Sequence, residues 1–269
     1  MRRFKIKDSK FEIEEIRFMT TEQHIKYILR LADDSFIYGH RISELCSKGP
    51  FLEEDIAMTN ISLDLLGQAT ALYKHAAALE GKGRTEDDMV YRRTERNYYC
   101  HLITELPNGD FGFTMTRMFL ISVYNLNLFE RLSKSKDEII AGIAAKSIKE
   151  VKYHVRHTSN WMIRLGDGTE ESHQRMQKAL NDIWMYTGEL FMTDEIDEAA
   201  VKAGVGVDVK SFKTDWDKKV KEVLDEATLV KPADGFAQSG GRKGLHTEYL
   251  GYLLTDIQYL QRTYPDAKW

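Results

Sequence analysis

Residues 53–80, EEDIAMTNISLDLLGQATALYKHAAALE, constrain the fold more than any other part of the chain. The stretch opens on three acids that suit the positive end of a helix dipole, and it is followed by Gly-Lys-Gly. Its middle is apolar nearly all round, which predicts a central, buried helix. Thr20 and Thr21 can cap an earlier helix over 22–47, stopped by Lys-Gly-Pro. Further helices are expected over 85–105, 113–132, 137–165, 170–193, 211–226 and 245–263. Only KAGVGVDVKSF, 202–212, could hold a brief strand or an irregular loop. Other period-two patterns and fixed-length repeats are absent, so the expectation is an all-α, long-helix bundle.

Four prolines in 269 residues agree with a helical protein, and 42% hydrophobic with 30% charged residues is ordinary for a soluble one. A net charge of −4 gives no footprint for nucleic acid. No run of eighteen apolar residues is available to span a membrane. The charged opening lacks the apolar segment of a secretory signal, so a cytoplasmic protein is expected. Cys46 and Cys100 are read as two buried free thiols.

SIKEVKYHVRH, 147–157, raises the question of a metal. Glu150, His154 and His157 fall at i, i+4 and i+7 and share a helix face with Ile143, Ser147 and Trp161. In ferritin-like carboxylate bundles two helices each donate a Glu and two others each a Glu-x-x-His pair. Two irons need bridging oxygens and an imidazole apiece. The one acid-x-x-His here, Glu170 with His173, opens a helix and reads as a capping feature. Elsewhere the pattern is degraded. Asp64-Leu-Leu-Gly67 lacks its histidine, and Glu150-x-x-Tyr153 places His154 one position late. Asp34 lies upstream on a face with Tyr27, Leu31, Tyr38, Ile42 and Leu45. Between Phe111 and Phe129 there is neither acid nor histidine, so a third carboxylate has no source. Two readings stand. Asp34, Asp64, Glu150, Tyr153 and His154 form a vestigial site whose polar members satisfy one another, or Glu150, His154 and His157 hold a functional metal. His40, His75 and His101 are read as core or surface residues, and no catalytic residue is expected.

NISLDLLGQA (60–69), LPNGDF (106–111), AKSIKEVKYHVRH (145–157), WMIRLGDGT (161–169) and GGRKGLHTEYLG (240–251) carry a resemblance. From about Tyr27 to Trp269 the chain resembles the non-catalytic C subunits of bacterial ring-1,2-phenylacetyl-CoA epoxidases. The resemblance implies one ferritin-like helical domain over 22–269 with additional short helices, and residues 1–21 as an N-terminal extension. It implies a structural, catalytically silent subunit of a multicomponent monooxygenase in aerobic phenylacetate catabolism. Such a subunit binds no cofactor itself. It pairs with and stabilises a catalytic A subunit that holds the di-iron centre, alongside the other subunits of the complex. The rival readings are an independent metal-binding ferritin-like oxidoreductase or iron-binding protein using Glu150, His154 and His157, and a helical scaffold unrelated to oxygenases.

The resemblance also implies contacts with a CoA thioester, phenylacetyl-CoA, at Asn97, Tyr98, Tyr99 and Cys100 and at Glu198, Ala199 and Ala200. In YRRTERNYY, 91–99, Arg92, Arg93 and Arg96 alternate with tyrosines, a chemistry that suits phosphates and an adenine ring. An exposed amphipathic face with ordinary salt bridges explains the same residues. Gly-Gly-Arg-Lys-Gly, 240–244, lacks phosphate-loop spacing and is expected to be a flexible turn that caps a helix or meets a partner. The aromatic stretches 111–120 and 249–264 are expected as exposed patches, through which the chain alone forms a homodimer.

Overall fold

The computed structural model describes residues 19–265 and 267, so the expected extension, 1–21, lies outside them except for its end. The described residues form ten α-helices and no strand. Four are long: α1 Thr21–Ser43, α2 Leu52–Glu80, α5 Phe111–Leu132 and α6 Glu138–Gly166. The shorter ones are α3 Glu86–Tyr91, α4 Leu102–Glu105, α7 Glu170–Trp184, α8 Glu195–Lys202, α9 Lys213–Glu226 and α10 Glu248–Thr263. α1 packs along α2, α5 packs along α6, and α2 meets α6 across the bundle. α7 and α9 cover the α5–α6 pair, and α8 lies on α1. No helix among the described residues is long and apolar enough to cross a membrane.

Helix starts follow local chemistry. Thr20 and Gln23 form a reciprocal capping box at α1, while Asp110 and Asp137 accept the first free amides of α5 and α6. Ile28 and Ile37 of α1, Ile61 and Leu65 of α2, and Phe119 of α5 fill the core almost without exposure. Each contributes about 1.5–3 kcal/mol by leaving water.

Three expectations are corrected by packing. First, α2 is not buried all round: Leu52, Ile56 and Leu63 are 70%, 51% and 61% exposed, beside an exposed Phe51. Conversely, 112 and 114–120 are buried, so the patch expected over 111–120 belongs to the core. The patch over 249–264 is present, with Tyr252, Tyr259, Leu260 and Tyr264 exposed.

Second, 85–105 is not one helix but α3, a tight turn at Glu95–Asn97, and α4. The cause is a pair of adjacent acids on α1. Asp33, fully buried, accepts the hydroxyl of Tyr73 at 2.6 Å, the amide of Tyr99 at 2.7 Å, and two bonds from the Arg93 guanidinium. Asp34 accepts the His101 amide at 2.7 Å and Arg242 Nη2 at 2.8 Å. Amides aimed at these carboxylates cannot also donate to a carbonyl four residues back. Helix α7 likewise stops at Trp184, and the turn Gly188–Phe191 follows. There, buried Glu189 accepts the amides of Leu102, Gly240 and Gly241 at 2.7, 2.7 and 2.9 Å.

Third, 240–244 is pinned rather than flexible. A Cβ at Gly241 would overlap the Cys100 carbonyl oxygen, and one at Gly244, whose φ is +72°, would overlap that of Arg96. Glycine is required at both positions by this close approach. Residues 202–212 hold no strand; a short turn at Val209–Phe212 follows the end of α8.

Asp33→Ala leaves Arg93 charged and buried, so the expected loss is about 3–5 kcal/mol in equilibrium urea unfolding. Replacing both partners, as Asp33→Leu with Arg93→Met, should recover most of that loss. A single variant as stable as the parent would remove the ion pair from this role.

Candidate functional site

Glu150, His154 and His157 of α6 do face α2. Gln68 Nε2 donates to Glu150 Oε2 at 3.0 Å, and His154 Nε2 lies 2.9 Å from Asp64 Oδ2. His157 Nε2 lies 3.1 Å from Glu54 Oε2, which also accepts Trp161 Nε1 at 2.8 Å. Positions 64 and 68 on one helix oppose 154 and 150 on the other, so the four-residue spacing makes antiparallel rungs. His154 is buried, whereas Asp64 and Glu150 border a small groove of about 130 Å³ with Gly67 and Ser147. Tyr153 is 36% exposed, and its ring stacks on His157 with centroids 5.6 Å apart. Burial pushes the His157 pKa down against the pull of Glu54, which favours a neutral ring.

Asp34 does not join these residues. Its carboxylate is committed to Arg242 and to His101, whose Nδ1 lies 3.0 Å away. α5 brings no acid or imidazole to the interior; its one acid, Glu130, is exposed at the end. A di-iron pair therefore does not fit these donors: one facing helix contributes none, and the acids present are engaged by side chains of this chain. The Glu170–His173 pair sits in the first turn of α7, where His173 Nδ1 lies 2.7 Å from the Gly166 carbonyl oxygen. His40 is largely buried, and burial lowers its pKa to about 4.

The basic and aromatic stretch is divided by its backbone. Arg93 turns inward to Asp33, its guanidinium 4.1 Å from the centroid of the fully buried Tyr98 ring. Arg92 points outward to Asp88 at 2.8 Å, and Arg96 is exposed. Exposed Asn97 donates to Thr94 Oγ1 at 2.9 Å, and Tyr99 lies half-buried below the Lys26 ammonium. Cys100 is buried, and burial, with Glu105 beside it, pushes its thiol well above the usual range. Cys46 is exposed, contrary to expectation. On α8, Glu198 is exposed while Ala199 and Ala200 are buried.

Arg30 and Arg242 link the two stretches. Arg30 donates to Asp194 at 2.7 Å and Asp197 at 2.8 Å. Arg242 donates to the carbonyls of Arg30 and Tyr99 at 2.9 and 2.7 Å. Beside them lies a cavity of about 490 Å³, lined by Asp194, Asp197, Lys210, Arg242 and Lys243 among others.

Sequence reasoning missed Glu105 and His246, both buried side chains. His246 Nδ1 is 2.9 Å from Glu105 Oε2, and Nε2 is 2.9 Å from the Tyr98 carbonyl oxygen. The second Glu105 oxygen accepts the Thr247 amide at 2.6 Å. Both ring nitrogens face acceptors, an arrangement that favours the protonated ring, which donates at both. Burial opposes that charge, but Glu105 prevails and raises the His246 pKa. The partners are 141 residues apart, and no local spacing reveals them.

Comparison with known proteins adds two findings. The family described as phenylacetic acid catabolic protein matches residues 12–269. The chain is also 44% identical over 243 residues to the C subunit of 1,2-phenylacetyl-CoA epoxidase from Escherichia coli (strain K12), a match covering 90% of this chain and 98% of that relative.

The charge on His246 predicts a pH dependence with a definite sign. A folded pKa above the unfolded value, about 6.5, contributes stability that is fully present below that value. The contribution is lost as pH rises through the raised folded pKa. The urea midpoint of the parent should therefore fall between pH 6 and pH 9 more steeply than that of His246→Gln. Parallel midpoint curves would exclude the charged ring.

Proposed function

The chain belongs to the phenylacetic acid catabolic protein family, and on that premise we propose that it is a catalytically silent, structural subunit of a multicomponent phenylacetyl-CoA 1,2-epoxidase. It works in the cytoplasm, in aerobic phenylacetate catabolism, with residues 22–269 acting as one ferritin-like domain. It pairs with a di-iron catalytic subunit and holds that subunit in its active shape. The observation that carries this reading is the interior of α5, which offers no ligand to the face where Asp64, Glu150 and His154 already engage partners within the chain. The uncovered apolar residues of α2 and α10 support it as well. A subunit that lacks its own metal has a use for such surfaces in an interface, and obligate interfaces bury on the order of 2,000–5,000 Å². Expressed alone, the chain covers the same surfaces by forming a homodimer.

The test is made on the catalytic subunit. Purified without this chain, it should lose most of its turnover of phenylacetyl-CoA with reductase, and co-expression should restore it. This chain by itself should show no spin-coupled di-iron signal in Mössbauer spectra after iron loading. Full turnover by the isolated catalytic subunit, or a di-iron signal from this chain, would overturn the reading.

For the thioester, the exposed Arg92, Arg96, Asn97 and Glu198 are the groups placed to meet a ligand. Arg93, Tyr98, Tyr99, Cys100, Ala199 and Ala200 shape the backbone behind them. The double variant Arg92→Ala/Arg96→Ala should weaken phenylacetyl-CoA binding by the assembled complex about tenfold, equivalent to about 1.4 kcal/mol. Unchanged affinity in calorimetry would return both arginines to a solvated surface.

A further inference from the structure

We propose that His24, His75 and Asp137 form a binding site for a zinc ion where α1, α2 and α6 meet, independent of the epoxidase role. The side chains come from two helices and the N-cap of a third, and they converge on one point. His75 Nε2 lies 2.6 Å and His24 Nε2 2.9 Å from the same carboxylate oxygen, Asp137 Oδ2. The rings stand edge to face, with centroids 6.0 Å apart and planes at 86°. The other oxygen, Oδ1, caps α6 by accepting the amides of Ile139 and Ile140, both at 3.0 Å. That cap fixes the carboxylate and leaves Oδ2 to the two imidazoles, as a metal ligand held by an outer hydrogen bond requires.

The second observation is His24 Nε2 itself, which is buried and lacks a well-aligned hydrogen bond: the Asp137 Oδ2 it approaches at 2.9 Å is already taken by His75 at 2.6 Å. An imidazole nitrogen left over beside a carboxylate is a cost that a shared cation removes. Two imidazoles and one carboxylate are a donor set that zinc binds, with a water in the fourth position. Tetrahedral ligands about 2.0–2.2 Å from zinc stand roughly 3.3 Å apart, so each imidazole nitrogen needs to move less than about 1 Å away from Oδ2. The His24 side chain is 21% exposed near the start of α1, which gives it room to move and the ion a route in.

The cluster of Cys100, Glu105 and His246 has ligand-type residues within the same reach, but it fails this test. Its imidazole spends one nitrogen on the Tyr98 carbonyl and the other on Glu105, so no lone pair is free. The His24 site differs in having that lone pair.

The full-length chain, stripped with a chelator and desalted, is titrated with zinc chloride against a chromogenic chelator. One zinc per chain is expected, with a rise in the thermal midpoint on loading, and cobalt chloride should give the visible bands of a tetrahedral ion. Asp137→Asn keeps the helix cap, because asparagine caps as well as aspartate, but removes the anionic ligand. Loss of an outer hydrogen bond alone weakens metal sites about 10–100-fold, so Asp137→Asn, His24→Gln and His75→Gln should each weaken zinc binding by at least about a hundredfold. His154→Gln/His157→Gln should leave it unchanged. Circular dichroism checks the fold of each variant, and His24→Gln, which leaves the helix cap untouched, decides the case if Asp137→Asn unfolds. No stoichiometric zinc on the folded parent, or parental affinity in His24→Gln and His75→Gln, would overturn the site.

Discussion

Two neighbouring carboxylates on α1 organise the middle of this protein. Asp33 and Asp34 point in adjacent directions from one helix, and both are taken largely out of water. Such charges must be paired where they are buried. Arg93 neutralises one and Arg242 the other, and the amides of Tyr99 and His101 complete their shells. Burial works against the charge on Asp34, but Arg242 and His101 hold its carboxyl below the usual range. The rest follows in sequence. Arg93 and residues 98–101 are drawn inward instead of continuing a helix, which places the Tyr98 carbonyl beside His246. The glycines at 241 and 244 then let the segment carrying Arg242 lie directly on that loop.

The polar groups between α2 and α6 play a lesser part. Asp64–His154, Gln68–Glu150 and Glu54–His157 tie two helices together with partly exposed members, and pairs of this kind contribute modestly. Polar groups paired across this seam and uncovered apolar ones elsewhere on α2 and on α10 make a consistent division. The apolar core closes within the chain, while apolar side chains on α2 and α10 stay uncovered. This is the pattern of a subunit whose purpose lies in an assembly.

The long helices were legible because their signals are local. Apolar periodicity, capping residues and Gly-containing stops placed α1, α2, α5 and α6 to within a few residues. What could not be read depends on partners far away in sequence. Arg92, Arg93 and Arg96 look alike in a row, and only Asp33, some sixty positions earlier, selects the middle one for the interior. The even apolar character of α2 suggested burial on every side, because periodicity does not distinguish a face covered by its own chain from one left for another. At the α2–α6 seam, the spacing found the facing residues but not that Asp34 would be diverted to Arg242. Glu105 with His246, and His24 with His75 and Asp137, are joined by tertiary packing alone.

The distance between Asp34 and Arg242 also sets a timetable. They are 208 positions apart, and ribosomes add roughly 5–20 residues per second, so the acid emerges on the order of 10–40 s before its counter-ion. Throughout that interval α1 and α2 can pack only with the Asp34 carboxylate still lacking Arg242. The N-terminal half therefore cannot complete its packing until the segment carrying Arg242 has emerged.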